Sequence, residues 1–155
     1  MRRTAVLSLV CLFGWTMGLV SCKDKSNNDK YFYNALRDTS APRIDIRTPS
    51  KGASFQFGDD VNVIGTVTDL EVTGKSGKLQ SLSIEIVQYD PAKDTIIKTL
   101  MKRTPDVDGL AGFTMLEKYS TPAWGAATIY CRLHVVATDY STRVGRDSLL
   151  FTVSP

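Results

Sequence analysis

The one histidine of the chain, His134, lies three positions after the thiol of Cys131, in a stretch where apolar and polar residues alternate. A thiol within hydrogen-bond reach of an imidazole is an activated nucleophile. Alternation is typical of a β-strand, however, and an odd spacing along a strand directs two side chains to opposite faces. No G-x-S-x-G motif positions a serine instead. The sequence therefore predicts no catalytic residue, with Cys131 buried and inert and His134 facing solvent.

Carboxylates are the next group to consider, because a zinc site would need more cysteine and histidine than the chain has. Calcium prefers oxygen ligands from loops, and the candidates are Asp69, Asp106, Asp108 and Asp139, with Glu71 beside the first. Asp69 and Asp139 each follow a strand pattern, which would place both near one end of a sandwich. Asp side chains also hydrogen-bond the backbone of turns. We predict no metal cofactor and keep calcium at these loops as the alternative.

Exposed aromatic side chains suggest a third kind of site, a platform on which a sugar ring stacks. Trp124, in the stretch "TPAWGAA", is the candidate ligand-binding residue, with Tyr89 and Tyr140 behind it. Tryptophan combines a large apolar surface with one polar group, and in a loop it more often covers one end of a core. We favour that interpretation of Trp124 and keep the sugar platform as the alternative.

The N-terminus has the layout of a secretory signal, with Arg2 and Arg3 before an apolar run over residues 5–20. That run is shorter than the about 20 residues that span a bilayer. It ends in Leu19-Val20-Ser21-Cys22, which resembles a bacterial lipobox. The resemblance implies a diacylglycerol thioether on Cys22, cleavage before that residue and acylation of the new N-terminus. Several acyl chains anchor a protein stably, whereas one chain holds it only marginally. An ordinary signal with a chance cysteine, or an uncleaved anchor, is the alternative.

Cysteine and charge usage limit the remaining chain. Cys11 lies in the signal and Cys22 would carry lipid, so Cys131 has no partner for an internal disulfide. The net charge is +3, and two of the basic residues belong to the signal. A nearly balanced mature chain without a basic block argues against nucleic acid as a partner. The partners that remain are the membrane, through the lipid, and other envelope proteins or glycans.

Residues 22–41 are predicted to be a lipidated cysteine followed by a flexible tether. The segment "KDKSNNDK" is polar and has no period. Tyr31, Phe32 and Tyr33 interrupt it, and they either pack on the edge of the following domain or form an exposed apolar patch. We favour packing for these three aromatic residues.

From residue 42 to residue 155 the apolar residues recur with a period of two, which is the pattern of strands with one buried face. Turn-forming stretches such as "TPSKG", "YDPAKD" and "STPAWG" separate the runs, and no helical period is present. We predict an all-β fold of about seven strands, a β-sandwich, with a closed barrel as the alternative. The stretches over 95–102 and 113–119 are rich in β-formers but less regular, which is typical of edge strands.

The stretch "PRIDIRTPSKGASFQFGDDVNVIGTVTD", followed by "LQSLSIEI" and, later, by "LHVVATDYSTRVGRDSLLFTV", resembles bacterial Ig-like domains. The Cys–Trp–Cys hallmark of antibody domains is missing, so the resemblance implies the sandwich and no activity. The whole layout is similar to small Bacteroidota lipoproteins that carry one Ig-like domain of unknown function. It implies a lipid-anchored protein of the outer membrane, on either face. The implied role is non-catalytic protein interaction or adhesion, with glycan binding beside a polysaccharide-uptake system as the alternative.

Overall fold

The computed structural model describes residues 40–69 and 77–155, which form eight β-strands and no helix. The predicted signal, the predicted lipidation site Cys22 and the aromatic residues Tyr31, Phe32 and Tyr33 lie outside this part of the chain. Among the described residues no helix is long and apolar enough to cross a membrane. The strands are β1 (Arg43–Thr48), β2 (Ser54–Gln56), β3 (Asp60–Thr68), β4 (Leu79–Asp90), β5 (Thr95–Arg103), β6 (Gly112–Ser120), β7 (Ile129–Asp139) and β8 (Val144–Ser154).

The strands form two sheets, a three-stranded sheet in the order β1-β3-β6 and a five-stranded sheet in the order β2-β8-β7-β4-β5. All neighbours are antiparallel except β2, which pairs parallel with β8. Two such sheets packed face to face are an Ig-like sandwich. The predicted all-β sandwich is confirmed, and the closed barrel is wrong because no strand pairing between the described residues joins one sheet to the other.

Alternation decides which face of each strand is buried. In β3 every second residue from Val61 to Val67 is buried, and β7 repeats the pattern from Cys131 to Asp139. The buried side chains of both sheets interlock as one core, which must hold the domain without a disulfide. Its largest members include Phe151, Leu79, Ile84, Ile86, Met115 and Leu133.

One strand was missed by the period of two. Strand β2 has three residues and lies in "ASFQFGDD", where the sequence indicates a turn. Ser54, Phe55 and Gln56 pair with the last residues of β8, and the ring of Phe55 meets that of Phe151 edge-on at 5.7 Å. A run of three residues is too short for alternation to reveal, so this strand depends on a neighbour almost 100 residues later.

Strand β5 forms one edge of the five-stranded sheet and β6 forms one edge of the three-stranded sheet, as their irregular patterns predicted. They border the same open side of the sandwich, and the Nε atom of Arg103 in β5 lies 3.5 Å from the carboxylate of Glu117 in β6. Lys98 and Lys102 add further positive charge to β5, and Lys118 adds it to β6. Charged residues on an outer strand discourage another chain from pairing with it.

Candidate functional site

The outer face of the five-stranded sheet carries side chains that belong to no core. Val87 follows the core residue Ile86 and is paired with Arg132, so it points away from the core, as does Tyr89 two residues later. The side chains of Val87 and Tyr89 are nevertheless buried. Around them lie Tyr130, with 43% of its surface exposed, and Ile96, with 58% exposed. We call Tyr89, Ile96, Tyr130 and Arg132 the aromatic cluster.

Contacts within the aromatic cluster hold it in one arrangement. The Arg132 guanidinium carbon lies 4.4 Å from the centre of the Tyr89 ring, and the Tyr130 ring meets that ring edge-on at 6.3 Å. Arg132 also donates to the carboxylate of Asp94, which raises the pKa of the guanidinium. Asp94 has a φ of 48°, a conformation that residues other than glycine seldom adopt. The turn between β4 and β5 thus fixes the arginine over the tyrosine before any partner arrives.

Beside the cluster, strand pairing aligns Glu85, His134 and Ser148 across three neighbouring strands. A catalytic triad needs the imidazole hydrogen-bonded on both sides, yet His134 makes no hydrogen bond within residues 40–69 and 77–155. Glu85 is instead engaged by Lys102 at 2.6 Å and by the hydroxyl of Ser83 at 3.1 Å, and the Lys102 bond lowers its pKa. Partial burial, followed by the charge of Arg132, lowers the pKa of His134. Glu85, His134 and Ser148 are therefore neighbours in the sheet and do not form a hydrogen-bonded proton relay.

Cys131 lies in the core, fully buried, on the face of β7 opposite His134, as the odd spacing predicted. Burial raises the pKa of its thiol to about 11. The reactive form of cysteine is the thiolate, and at neutral pH almost none is present. Both the position and the pKa indicate that this thiol fills space.

We therefore expect Cys131 to resist alkylation in the folded protein. At pH 8 the native chain should incorporate little iodoacetamide over hours, because the thiol is both shielded and protonated. The chain in urea should react within minutes, which mass spectrometry of the tryptic peptide that contains Cys131 would measure. Equal rates in the two conditions would contradict the buried position.

The four aspartates proposed as calcium ligands gather at one end of the sandwich, where β3 and β7 end. Asp69 and Asp139 are fully buried there. The carboxylate of Asp139 accepts from the backbone N–H of Arg143 at 2.8 Å, and that of Asp106 accepts from the N–H of Asp108 at 3.2 Å. These are the local bonds of turns.

Within residues 40–69 and 77–155 no group of three or more His, Cys, Asp or Glu side chains could hold a metal ion. Glu71 lies outside this part of the chain. Calcium binding remains an untested alternative, and the observed bonds of Asp106 and Asp139 are those of turn formation.

Trp124 lies at the opposite end of the sandwich, in the loop between β6 and β7, and 82% of its surface is exposed. It does not cover the core. The neighbouring Gly125 packs against the ring of Phe57 and fixes the loop there. The three aromatic residues considered for a sugar platform are dispersed, because Tyr140 lies at the Asp139 end and Tyr89 belongs to the aromatic cluster. Tyr130 was missed, since a tyrosine at an outward position of a strand has no distinctive signal.

No protein-family model matches the chain, and no curated protein matches it. Solved structures do. Fibronectin(III)-like modules of Clostridium thermocellum CbhA are 17% identical over 72% of this chain and 96% of theirs, with a TM-score of 0.42. Murine CRIg is 7% identical over 74% of this chain and 98% of its own, with a TM-score of 0.42. Spo0M of Bacillus subtilis is 11% identical over 75% of this chain and 50% of its own, with a TM-score of 0.46. These structural similarities do not indicate an activity for this protein.

Proposed function

We propose that this protein is a lipid-anchored, non-catalytic module of the bacterial outer membrane, and that it binds another envelope protein through the aromatic cluster. The observation that carries the proposal is the arrangement of Tyr89, Tyr130 and Arg132 on a sheet face. Tyrosine and arginine are enriched among the residues that supply most of the energy of protein–protein interfaces.

The preset geometry of Arg132 favours binding. A free arginine side chain loses rotamer entropy when a partner immobilises it. Here the ion pair with Asp94 and the contact with the Tyr89 ring have already fixed it. Ile96, which is paired with Tyr89 and is 58% exposed, adds apolar surface to the cluster. A partner that covers these residues gains contact area at low entropic cost.

The proposed anchor supports the same role. A lipid on Cys22 would confine the domain to a membrane, and a tether of about 20 residues would let it reach its neighbours. Confinement raises the effective concentration of a partner in the same membrane, so a modest interface is sufficient. A small binding module gains from this arrangement more than an enzyme of diffusible substrates does.

The experiment has a lipid arm and a partner arm, both in the native bacterium. With labelled palmitate, we expect the parent chain and Cys11→Ser to carry label, because Cys11 leaves with the signal. Cys22→Ser should carry none and should keep the signal, since cleavage would follow lipidation. Labelling of Cys22→Ser at the parent level would contradict the anchor.

For the partner arm, a photo-crosslinking residue replaces either Tyr130 or Thr114, an exposed residue on the outer face of the other sheet. We expect a discrete envelope-protein adduct from position 130 only. The adduct should weaken when Arg132→Ala is added. Equal adducts from both positions, or none from position 130, would contradict the proposed interface.

Glycan binding is the second candidate, and the exposure of Trp124 favours it. An indole that projects from a loop anchored at Gly125 could stack against a sugar ring. The ligand would then contact the end of the sandwich rather than the sheet face.

A further inference from the structure

A groove of about 360 Å³ opens at the Asp139 end of the five-stranded sheet, away from the aromatic cluster. Strands β4 and β7 form one side of it, and the segment that follows β5 forms the other. Pro105 and Val136 supply apolar surface, and five neutral polar side chains line the groove, namely Gln80, Ser81, Ser83, Thr104 and Thr138. We call it the hydroxyl groove. Its volume falls in the range of about 300–1,000 Å³ that small-molecule sites occupy.

The segment that follows β5 and forms one wall of the hydroxyl groove is attached to the core and to β4. Val107 lies in the core, almost fully buried. The backbone of this segment is tied to the first residue of β4, because the N–H of Gly109 donates to the carbonyl of Leu79 at 2.9 Å and the N–H of Leu79 donates to the carbonyl of Leu110 at 2.8 Å. The hydroxyl of Tyr140 donates to Asp108 in the same segment. The groove is therefore formed before a ligand enters, which lowers the entropic cost of binding.

Four of the five neutral polar side chains of the hydroxyl groove are free to bind, and the fifth, Ser83, donates to Glu85. Within the described residues, the side chains of Gln80, Ser81, Thr104 and Thr138 make no hydrogen bond to the protein. Each hydroxyl can donate and accept, and the amide of Gln80 can do both as well. These groups are uncharged, so they suit a ligand that is itself rich in neutral donors and acceptors.

The charged residues at the rim are already engaged. Lys102 is paired with Glu85 at 2.6 Å, and Asp106 accepts the N–H of Asp108. An anionic ligand would have to compete with Glu85 for Lys102. The carboxylate of Asp106, which has no cationic partner among the described residues, would also repel an anion.

We propose that the hydroxyl groove binds one or two rings of a neutral saccharide. A sugar ring presents hydroxyl groups at its edge and C–H groups on its faces, which match the polar residues and the surfaces of Pro105 and Val136. Extended peptides bind at the unpaired edge of a sheet, and residues 80–83 of β4 lie beyond the end of its pairing with β5. A peptide is therefore the competing ligand that the test has to include. The proposal is independent of the protein interface, and its failure would leave that interface standing.

The test uses the full chain in an amine-oxide detergent, because maltoside detergents are themselves saccharides. The probes are neutral hexasaccharides of glucose, xylose and mannose, with a hexuronate and an unstructured peptide for comparison. Saturation-transfer NMR detects binding, and titration gives the dissociation constant. We expect at least one neutral probe to bind. Ser81→Ala and Thr138→Ala should each weaken it about threefold to tenfold, the usual effect of one lost hydrogen bond.

Thr114→Ala, the same substitution on the other sheet, is the matched control and should leave the dissociation constant unchanged. Melting curves of all variants verify folding. Absence of binding by every neutral probe at millimolar concentration would overturn the proposal, as would tighter binding of the hexuronate or of the peptide. Loss of binding in Trp124→Ala, with Ser81→Ala and Thr138→Ala unaffected, would also overturn it and would place the sugar at the end loop.

Discussion

Replacement of Phe151 by alanine should lower the free energy of unfolding by about 3–5 kcal/mol, the usual cost of removing a buried aromatic ring. Phe151 is almost fully buried, contacts Phe55 edge-on at 5.7 Å and faces Cys131 on the neighbouring strand. The loss combines missing apolar burial with the cavity that the ring leaves behind. In a domain without a disulfide, the loss removes a large part of a typical total of about 5–15 kcal/mol.

Urea denaturation followed by circular dichroism of the β-sheets would measure this change, with the slope of the transition checked for two-state behaviour. The control is Leu116→Ala, because Leu116 is apolar but 72% exposed on β6. That substitution should stay within about 0.5 kcal/mol of the parent. If the two variants lost equal stability, Phe151 could not occupy the core.

The second large effect is expected from Gly145→Ala. A Cβ atom at Gly145 would lie 2.0 Å from the carbonyl oxygen of Pro42 and 2.9 Å from its carbonyl carbon. These are backbone atoms at the start of β1, so no side-chain rotation relieves the contact, and β1 must move away from β8. Forced displacement of packed backbone costs about 1–3 kcal/mol.

Hydrogen exchange would locate the damage as well as measure it. The amides of β1 should exchange faster in Gly145→Ala, whereas those of β4 and β7 should keep their protection. Gly112→Ala is the matched control, since its Cβ would lie 3.1 Å from the nearest atom, the carbonyl oxygen of Val67. Its effect should be clearly smaller. Unchanged exchange in β1 of Gly145→Ala would show that the two strands do not approach as described.

Much of the fold follows from the period of two, because a strand with one buried face must alternate. Strands β3 and β7 alternate almost without fault, so their buried residues could be read directly from the sequence. Strand β5 could not be read so well. Its pairing with β4 shifts between Ile86 and Val87 and again between Gln88 and Tyr89, and it lies at the edge of its sheet. Each shift changes which residues face outward.

The candidate site depends on long-range pairing, which a local pattern does not contain. Tyr89 and Tyr130 meet only because β4 lies beside β7 in one register, and Arg132 is fixed only because the turn at Asp94 returns to it. For Trp124 the sequence correctly predicted a loop, but it did not predict that the side chain is exposed. Asp69 and Asp139 were placed at one end correctly because each follows a strand whose direction the fold class dictates.

The charged outer strands have a consequence for contact between copies of this domain. Two copies that meet through β5 would bring two unpaired sheet edges together. Lys98 on β5 would face a like charge there, whereas Lys102 is paired with Glu85 and Arg103 with Glu117. Repulsion between these sheet edges opposes strand pairing between crowded copies. Closely packed copies of this domain would therefore stay separate, and the sheet faces of each copy would remain accessible.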